Sequence, residues 1–476
     1  MLNAIQVLKN KKSPGIDEIN NELIKNASLP MLIKLLNLIN VCWKTGHIPE
    51  EWQIAIIIPI FKKGNRDDYK NYRGISLLNT CYKIYAKILN NRLTAITENI
   101  IAEEQNGFRR GRSCMDCVYT ITQLLEKRKE FNLPTSMAFV DYEKAFDRVQ
   151  REKIWEIMEC RGIPKHLIRA IQSMYVNTGI YIESGNTRSR QPVLINQGIR
   201  QGCPLSPTIF NLYLDDAIKK WQEELDRDFY INKTKLNTLM FADDQIVIAH
   251  DEDSLQKALF KLSNVTKDYN LKISTTKTKV LALKGKLPIR NKIVIENQII
   301  EQITNFNYLG CNVGMDRELD INRKISRYQQ FCGTITRTLL GKCQRDTLLK
   351  FYKVIAIPML MYGAECWTLT EIQRNRVEVA EMRFLRAVAG YRRSDRKRNE
   401  DIRVELGVTG MCSMIRAYQE NWLQHLNNMT DQRIPKAITA YQPTGKRTRG
   451  RPVKRWRDQF LPTRPCNRNR PGWPNP

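Results

Sequence analysis

Residues 239–250 read LMFADDQIVIAH. The apolar residues on either side of Asp243 and Asp244 mark two short strands joined by a tight turn, with both acids near the turn. Strands this apolar are buried, and an ionised carboxylate is costly to bury unless something pairs with it. Upstream, SMAFVDYEKAF poses the same problem: an apolar strand ends at Asp141 and the chain then turns helical. A lone acid at a strand end is ordinarily a solvated turn residue. Three acids at the ends of two such strands, in a very basic chain, are better explained by a shared cation. Mg²⁺ takes oxygen ligands, often one or two carboxylates plus substrate phosphates. Two such ions about 3.5–4 Å apart stabilise both the attacking and the leaving oxygen of phosphoryl transfer.

Charge narrows the partners. Lys and Arg total 77 against 49 Asp and Glu, a formal net charge of +28 over 476 residues. Such an excess favours a polyanion, either nucleic acid or an anionic membrane surface. The longest apolar run, IAIIIPIF at 54–61, falls well short of the roughly 18 residues of a membrane span. The opening MLNAIQVLKNKKSPGIDEI lacks the apolar core of a secretory signal. The composition therefore favours nucleic acid in a nuclear or cytoplasmic setting, not a secreted protein. The 12 cysteines are scattered through apolar segments, which suits buried thiols in a reducing compartment. Cys114 and Cys117 have CxxC spacing without a second such pair or a nearby His pair, and read as ordinary cysteines at a helix start.

Periodicity places the elements. KNASLPMLIKLLNLINVCWKTG is helical and stops at Gly46, IAIIIPIF is a strand running into a basic turn, and KIYAKILNNRL is a helix. KIWEIMECRG and PKHLIRAIQSMY are two amphipathic helices, the second with Leu167, Ile168, Ile171, Met174 and Tyr175 on one face. GIYIESGNTRSRQPVLINQGI reads as a hairpin. SPTIFNLYLDDAIKKW starts a helix with Ser206 as expected N-cap and Pro207 at the first helical position. SLQKALFKLSNVTKDYNLKI is a helix followed by the strand KVLAL. From 291 the chain is strand-like, then helical and basic.

Seven segments stand in order: IIIPIFKKGNRDDYKNYRGISLLNTCYKIYAKILNNRL, EEQNGFRRGRSC, AFVDYEKAFDRV, NQGIRQGCPLSPTIFNLYLDD, FADD, LKISTTKTKV and FNYLGC. Together they resemble the reverse transcriptases of non-LTR (LINE-type) retrotransposons over about residues 10–395. The YRGIS, YGAECW and GRPVKRW wording is closest to the RTE-like part of that group. The resemblance implies an α+β right-hand polymerase with fingers, a palm carrying an antiparallel sheet, and a helical thumb, plus a basic C-terminal tail. On this reading 1–135 is the fingers and N-terminal helical region, and 136–290 the palm. Residues 291–395 hold the primer-grip hairpin and thumb, and 396–476 a partly disordered basic region.

It also implies roles. Asp141 and Asp243 match the two metal-binding aspartates and Asp244 the third acid, expected to act less directly because adjacent strand residues face opposite ways. Phe146 matches the residue that stacks under the incoming sugar and excludes a 2′-OH. Gln201 and Gly202 match the block that contacts nucleotide and template. Lys62, Lys63 and Arg73 resemble the residues that grip the triphosphate, with the two lysines not separable by sequence. Lys277 would protonate or neutralise the leaving pyrophosphate, or is simply an exposed lysine. Arg109, Arg110 and Arg112 are offered to template phosphates. Tyr308 and Leu309 are primer contacts or packing residues. The implied cofactor is two Mg²⁺ ions, with Mn²⁺ as a substitute. The implied partners are an RNA template, a DNA primer, their RNA–DNA hybrid and dNTPs.

Two departures accompany the resemblance. Full-length relatives carry an endonuclease domain ahead of the polymerase, and none precedes it in this sequence, which suggests a truncated copy. Arg449–Gly450–Arg451–Pro452 resembles the core of a minor-groove arm, or is part of a nonspecific basic tail. The competing functional reading is a catalytically inactive nucleic-acid-binding remnant.

Overall fold

The computed structural model describes residues 1–185, 187–448 and 453–460. The 449–452 segment and the Pro- and Arg-rich end TRPCNRNRPGWPNP lie outside the described residues. The chain divides into two compact α+β units. The first comprises residues 1–114, 135–282 and 290–303, and the second 115–134, 283–289 and 304 onward. These units cross the boundaries expected from sequence, because the helix Cys114–Glu130 goes with the C-terminal half. Among the described residues no helix is long and apolar enough to cross a membrane.

In the first unit, the strand Ile54–Phe61 pairs antiparallel with Tyr72–Leu77 and parallel with Gly179–Ser184. A second sheet runs in the order Lys279–Lys284, Pro134–Val140, Asp244–Ala249, Thr238–Phe241. Its two central strands are antiparallel, with Gln245 opposite Val140 and Met137 opposite Ile248. Asp244–Ala249 is buried at every position after Asp244, so both faces of this strand are covered. That is why its sequence is continuously apolar rather than alternating. Ala138, Val140, Met240, Val247 and Ala249 share one buried cluster with Ile209, Tyr213 and Trp221 of helix Ser206–Glu223 and with Leu255, Leu259 and Leu262 of helix Glu252–Asp268. The tips of buried aromatics find carbonyl acceptors: Trp221 Nε1 donates to Ala258 O at 2.8 Å and Tyr213 OH to Tyr269 O at 2.6 Å, as burial of a polar tip requires.

Local signals in the sequence behave as expected. Helix Leu29–Thr45 ends on Gly46 at φ 71°, the left-handed C-cap glycine tolerates best. The buried face of helix Lys165–Ser173 and its continuation carries Leu167, Ile168, Ile171, Met174 and Tyr175. The cap at Ser206 is a correction. The N-cap is Leu205, Ser206 is already helical, and no side chain caps the helix. Instead the Ser206 hydroxyl lies 3.2 Å from the buried Tyr175 phenol, which takes it out of reach of the helix terminus.

The second unit is mainly helical. Helices Leu319–Leu339, Glu371–Ala389, Asn399–Leu406 and Met411–Asn428 contribute Ile325, Tyr328, Val377, Leu385, Ile402, Met411 and Ile415 to one buried core. The part of the expected basic tail between 399 and 440 is thus largely helical. Farther on, Trp456 is fully buried. Its ring lies 5.0 Å from that of Tyr119, and its Nε1 donates to Glu365 O at 2.6 Å. Arg455 forms a two-pronged ion pair with Glu130 at 2.8 and 2.5 Å. The cationic wording VKRWRD, 453–458, hides an anchor whose aromatic residue is buried.

Candidate active site

Asp141 follows the last residue of the Pro134–Val140 strand, and Asp244 begins the neighbouring strand, one position before Gln245. The register therefore brings both acids to one end of the sheet. Asp243 is next to Asp244 in the turn from the strand Thr238–Phe241, where Phe241 pairs with Asp244 and only Ala242 and Asp243 intervene. The backbone of Asp141 is pinned from the 272–278 segment. Its N–H donates to Thr278 Oγ1 at 3.3 Å, and its carbonyl accepts from Ser274 N at 2.7 Å. On the far side Tyr142 OH donates to Gln245 Oε1 at 2.5 Å.

The electrostatics follow from this crowding. Burial, and then the charge of Asp141, push the Asp243 carboxyl above the usual carboxylate range, while its own backbone N–H, Arg73 and Lys62 pull it down. Asp244 reaches solvent, yet the protein packed around it, followed by Asp243 and Asp141, pushes its carboxyl up to about 6. Lys277 Nζ lies 3.2 Å from Asp141 Oδ2. Lys62 belongs to the same field. Desolvation, Arg73 and Lys277 lower its ammonium pKa, and Asp141 and Asp147 oppose them. Lys62 is thus tied electrostatically to Asp141 and Asp147; Lys62 and Lys63 are both exposed. Arg73 is exposed on the strand Tyr72–Leu77, opposite Ile60.

Phe146 lies in the short helix Ala145–Arg148 and stacks face to face on Phe210 at 4.4 Å. Gln201 Nε2 reaches Asp147 Oδ1 at 3.4 Å, and its carbonyl accepts from Ser76 N at 2.9 Å. Gly202, at φ 116°, passes so close to that strand that a Cβ would stand 2.9 Å from Ser76 O. The loop is thereby docked against the strand that carries Arg73.

The three arginines of QNGFRRGRS part company. Arg109 is buried, with its guanidinium bonded to Ala102 O at 2.6 Å, Glu98 O at 2.9 Å, Gln105 O at 3.1 Å and the Glu98 carboxylate. Arg112 has a side chain 7% exposed and pairs with Glu103 at 2.5 Å. Both are committed to the protein, which corrects the expectation that all three face a template, while Arg110 is exposed. Tyr308 and Leu309 belong to the second unit. Tyr308 ends the strand Asn305–Tyr308 and Leu309 opens the two-residue turn of its hairpin, with Leu309 and Gly310 at positive φ. Tyr308 is buried, and the Leu309 carbonyl accepts from Tyr362 OH at 2.8 Å.

This order of elements matches a known family. The family model for reverse transcriptase (RNA-dependent DNA polymerase) matches residues 60–313, just over half of the chain.

The chain belongs to the reverse transcriptase family.

Individual relatives are named for mobile elements. The probable RNA-directed DNA polymerase from transposon BS of Drosophila melanogaster is 24% identical over 407 residues, 82% of this chain and 44% of that one. The RNA-directed DNA polymerase from mobile element jockey of the same organism is 25% identical over 443 residues, 89% of this chain and 47% of that one. The retrovirus-related Pol polyprotein from type-1 retrotransposable element R2 of Popillia japonica is 24% identical over 361 residues, 74% and 49%. The chain thus spans less than half the length of these relatives. Among solved structures, apo telomerase from Candida tropicalis aligns at TM-score 0.42 and 14% identity, covering 87% of this chain and 73% of that one, a likeness too distant to bear on the site.

Reverse transcriptases work with divalent metal ions, and the donor set here fits a hard cation: carboxylate oxygens that burial and, after it, their mutual repulsion raise at Asp243 and Asp244. Among the described residues no three His, Cys, Asp or Glu side chains close into a cage on their own. An ion held here needs further oxygen ligands to complete its coordination shell.

One group of residues was invisible to sequence reasoning. Gln105, in the same block as the arginines, bonds the turn between Phe241 and Asp244. No periodicity or motif spacing links positions this far apart.

Proposed function

We propose that this chain is the RNA-directed DNA polymerase of a non-LTR retrotransposon, adding dNTPs to the 3′-OH of a DNA primer on an RNA template. The observation that carries this reading is the placement of Asp141 and the Asp243–Asp244 turn at one end of adjacent antiparallel strands, inside the span matched by the family model. The primer 3′-oxygen attacks the α-phosphorus of the dNTP, the bond to pyrophosphate breaks, and the hydroxyl proton leaves to solvent.

Two Mg²⁺ ions, or Mn²⁺ in their place, fit Asp141 and Asp243 with Asp244 assisting, and when bound they supply charge neutralisation at the reacting oxygens. Lys62 and Arg73 neutralise the triphosphate from the adjoining strand pair. Lys277, drawn to the site by Asp141, meets the departing pyrophosphate. Phe146, backed by Phe210, supports the sugar, and the Gln201–Gly202 loop faces nucleotide and template. Arg110 is the arginine of its block left for template phosphates, and the Tyr308–Leu309 turn serves the primer through its backbone. A reducing nuclear or cytoplasmic setting agrees with the free cysteines of the described residues.

The test is primer extension on an RNA template with Mg²⁺, wild type beside Asp243→Asn. Wild type should extend and the variant should lose at least about 10³-fold, the scale of several kcal/mol of charge stabilisation. Equal, background extension by both with normal template binding would make the chain a non-catalytic nucleic-acid-binding remnant.

A further inference from the structure

The turn that carries the aspartates does not hold itself. Ala242 stands at φ 58°, a left-handed conformation disfavoured for any residue with a Cβ. Alanine has no polar side chain with which to stabilise it. The support comes from the segment 104–107. Gln105 is 1% exposed, and its side-chain amide meets both backbone groups of the turn residue. Oε1 accepts from Ala242 N at 2.8 Å, and Nε2 donates to Ala242 O at 3.2 Å. The same Oε1 also accepts from Gly107 N at 2.9 Å.

The rest of the segment brings that amide to its place. Met240 N donates to Glu104 O at 2.9 Å and Asn106 N to Met240 O at 2.8 Å, so the segment runs as an extra edge along the strand leading into the turn. Gly107 passes so close that a Cβ would stand 2.3 Å from Ala242 N. From the other side, the buried Asn211 of helix Ser206–Glu223 donates from Nδ2 to Gly107 O at 2.7 Å. Arg109 closes the loop by donating to Gln105 O. A primary amide is suited to this task because it offers a donor and an acceptor on one planar group. Ionised Glu offers only acceptors, and Met offers neither in useful strength.

We propose that Gln105 is a positioning residue for the catalytic aspartates: its amide clamps both backbone groups of Ala242 and so sets where the Asp243 and Asp244 carboxylates stand. This rests on the polymerase reading of those aspartates.

The experiment uses the full chain with two readouts: Mn²⁺ binding by electron paramagnetic resonance titration, and single-dNTP addition on an RNA–DNA template–primer. Gln105→Met, which keeps volume and removes the amide's two bonds to Ala242 and its bond from Gly107 N, should weaken Mn²⁺ binding and lower kcat by about 10- to 100-fold, the usual cost of losing an outer partner of a metal ligand. The KM for dNTP should stay within about threefold, because no ground-state contact is removed. Ala242→Gly, which removes the Cβ penalty at positive φ, should recover part of the loss when combined with Gln105→Met. A bystander in the core would show no such rescue. Mn²⁺ affinity and kcat both within about threefold of wild type, or the same loss with and without Ala242→Gly, would overturn the proposal. If Gln105→Met does not fold, Gln105→Glu decides. It keeps the acceptor for Ala242 N–H and loses the donor to Ala242 O, so an intermediate fall in kcat supports the clamp and an unchanged kcat overturns it. Asp243→Asn is run alongside. If it leaves Mn²⁺ binding and extension as in wild type, the assignment of Asp243 as a metal ligand fails and the clamp proposal with it; if both proteins show only background extension, the polymerase reading fails. If it abolishes both while Gln105→Met changes neither, only the clamp fails.

Discussion

Phe146 rests on Phe210 with ring centroids 4.4 Å apart and planes 13° from parallel. Phe210 is fully buried in helix Ser206–Glu223, whereas Phe146 is half-buried. One face of Phe146 is therefore fixed by the core; in the proposed function its remaining surface supports the sugar. Phe146→Val should keep the fold and lower discrimination against ribonucleotides by roughly 10- to 100-fold, the worth of about 1–3 kcal/mol in a fitted pocket. The measurement is the ratio of kcat/KM for dNTP and rNTP. An unchanged ratio would leave Phe146 a packing residue.

Arg109 and Arg110 are neighbours with opposite fates, and their substitutions should separate. Arg109→Met removes bonds to three backbone carbonyls and to Glu98, and should lower unfolding free energy by about 2–3 kcal/mol, the scale of charged hydrogen bonds. Its effect on the salt dependence of template binding should be nil.

Arg110→Ala should do the reverse. Stability should stay within about 0.5 kcal/mol, as for a surface change. The slope of log affinity for RNA–DNA hybrid against log salt should fall by about one unit. An unchanged slope would take Arg110 out of the interface.

Trp456 joins Tyr119 and Glu365 within the second unit. Trp456→Ala should destabilise this unit by about 3–5 kcal/mol, as expected for an aromatic ring removed from a core. Protease accessibility should rise at the helix Cys114–Glu130. A variant as resistant as wild type would show that the anchor contributes nothing.

Glu405 sits among three donors: Lys397 Nζ at 2.5 Å, Arg345 Nη2 at 2.7 Å and Tyr391 OH at 3.0 Å. Together they hold its carboxyl down at about 2, with Lys397 contributing most. A carboxylate lowered in the folded state adds stability that is present above its unfolded value and is lost as pH falls through the folded one. Glu405→Gln should therefore lower Tm slightly at pH 5–7, with the difference from wild type vanishing between about pH 4.5 and 2. A constant offset across that range would count against the ion-pair origin.

Much of this protein was legible in its residues, for identifiable reasons. The strand–turn–strand at 238–249 was readable because covered strands must be apolar and two acids inside one cannot be accidental packing. Helix Leu29–Thr45 was readable because a 3.6-residue period and a C-cap glycine are local signals. Asp141, Asp243 and Asp244 could be named because their positions relative to those elements are themselves local. What the tertiary structure alone decided involves partners far apart in the chain. Gln105 clasps Ala242, Arg109 turns inward beside an outward Arg110, the Ser206 hydroxyl meets Tyr175 and caps no helix, and Trp456 is buried against Tyr119. A hydrogen bond or an aromatic contact between distant segments leaves no period in the sequence. The direction of an arginine follows from which carbonyls the folded backbone leaves without partners, and that is settled only when the chain has closed.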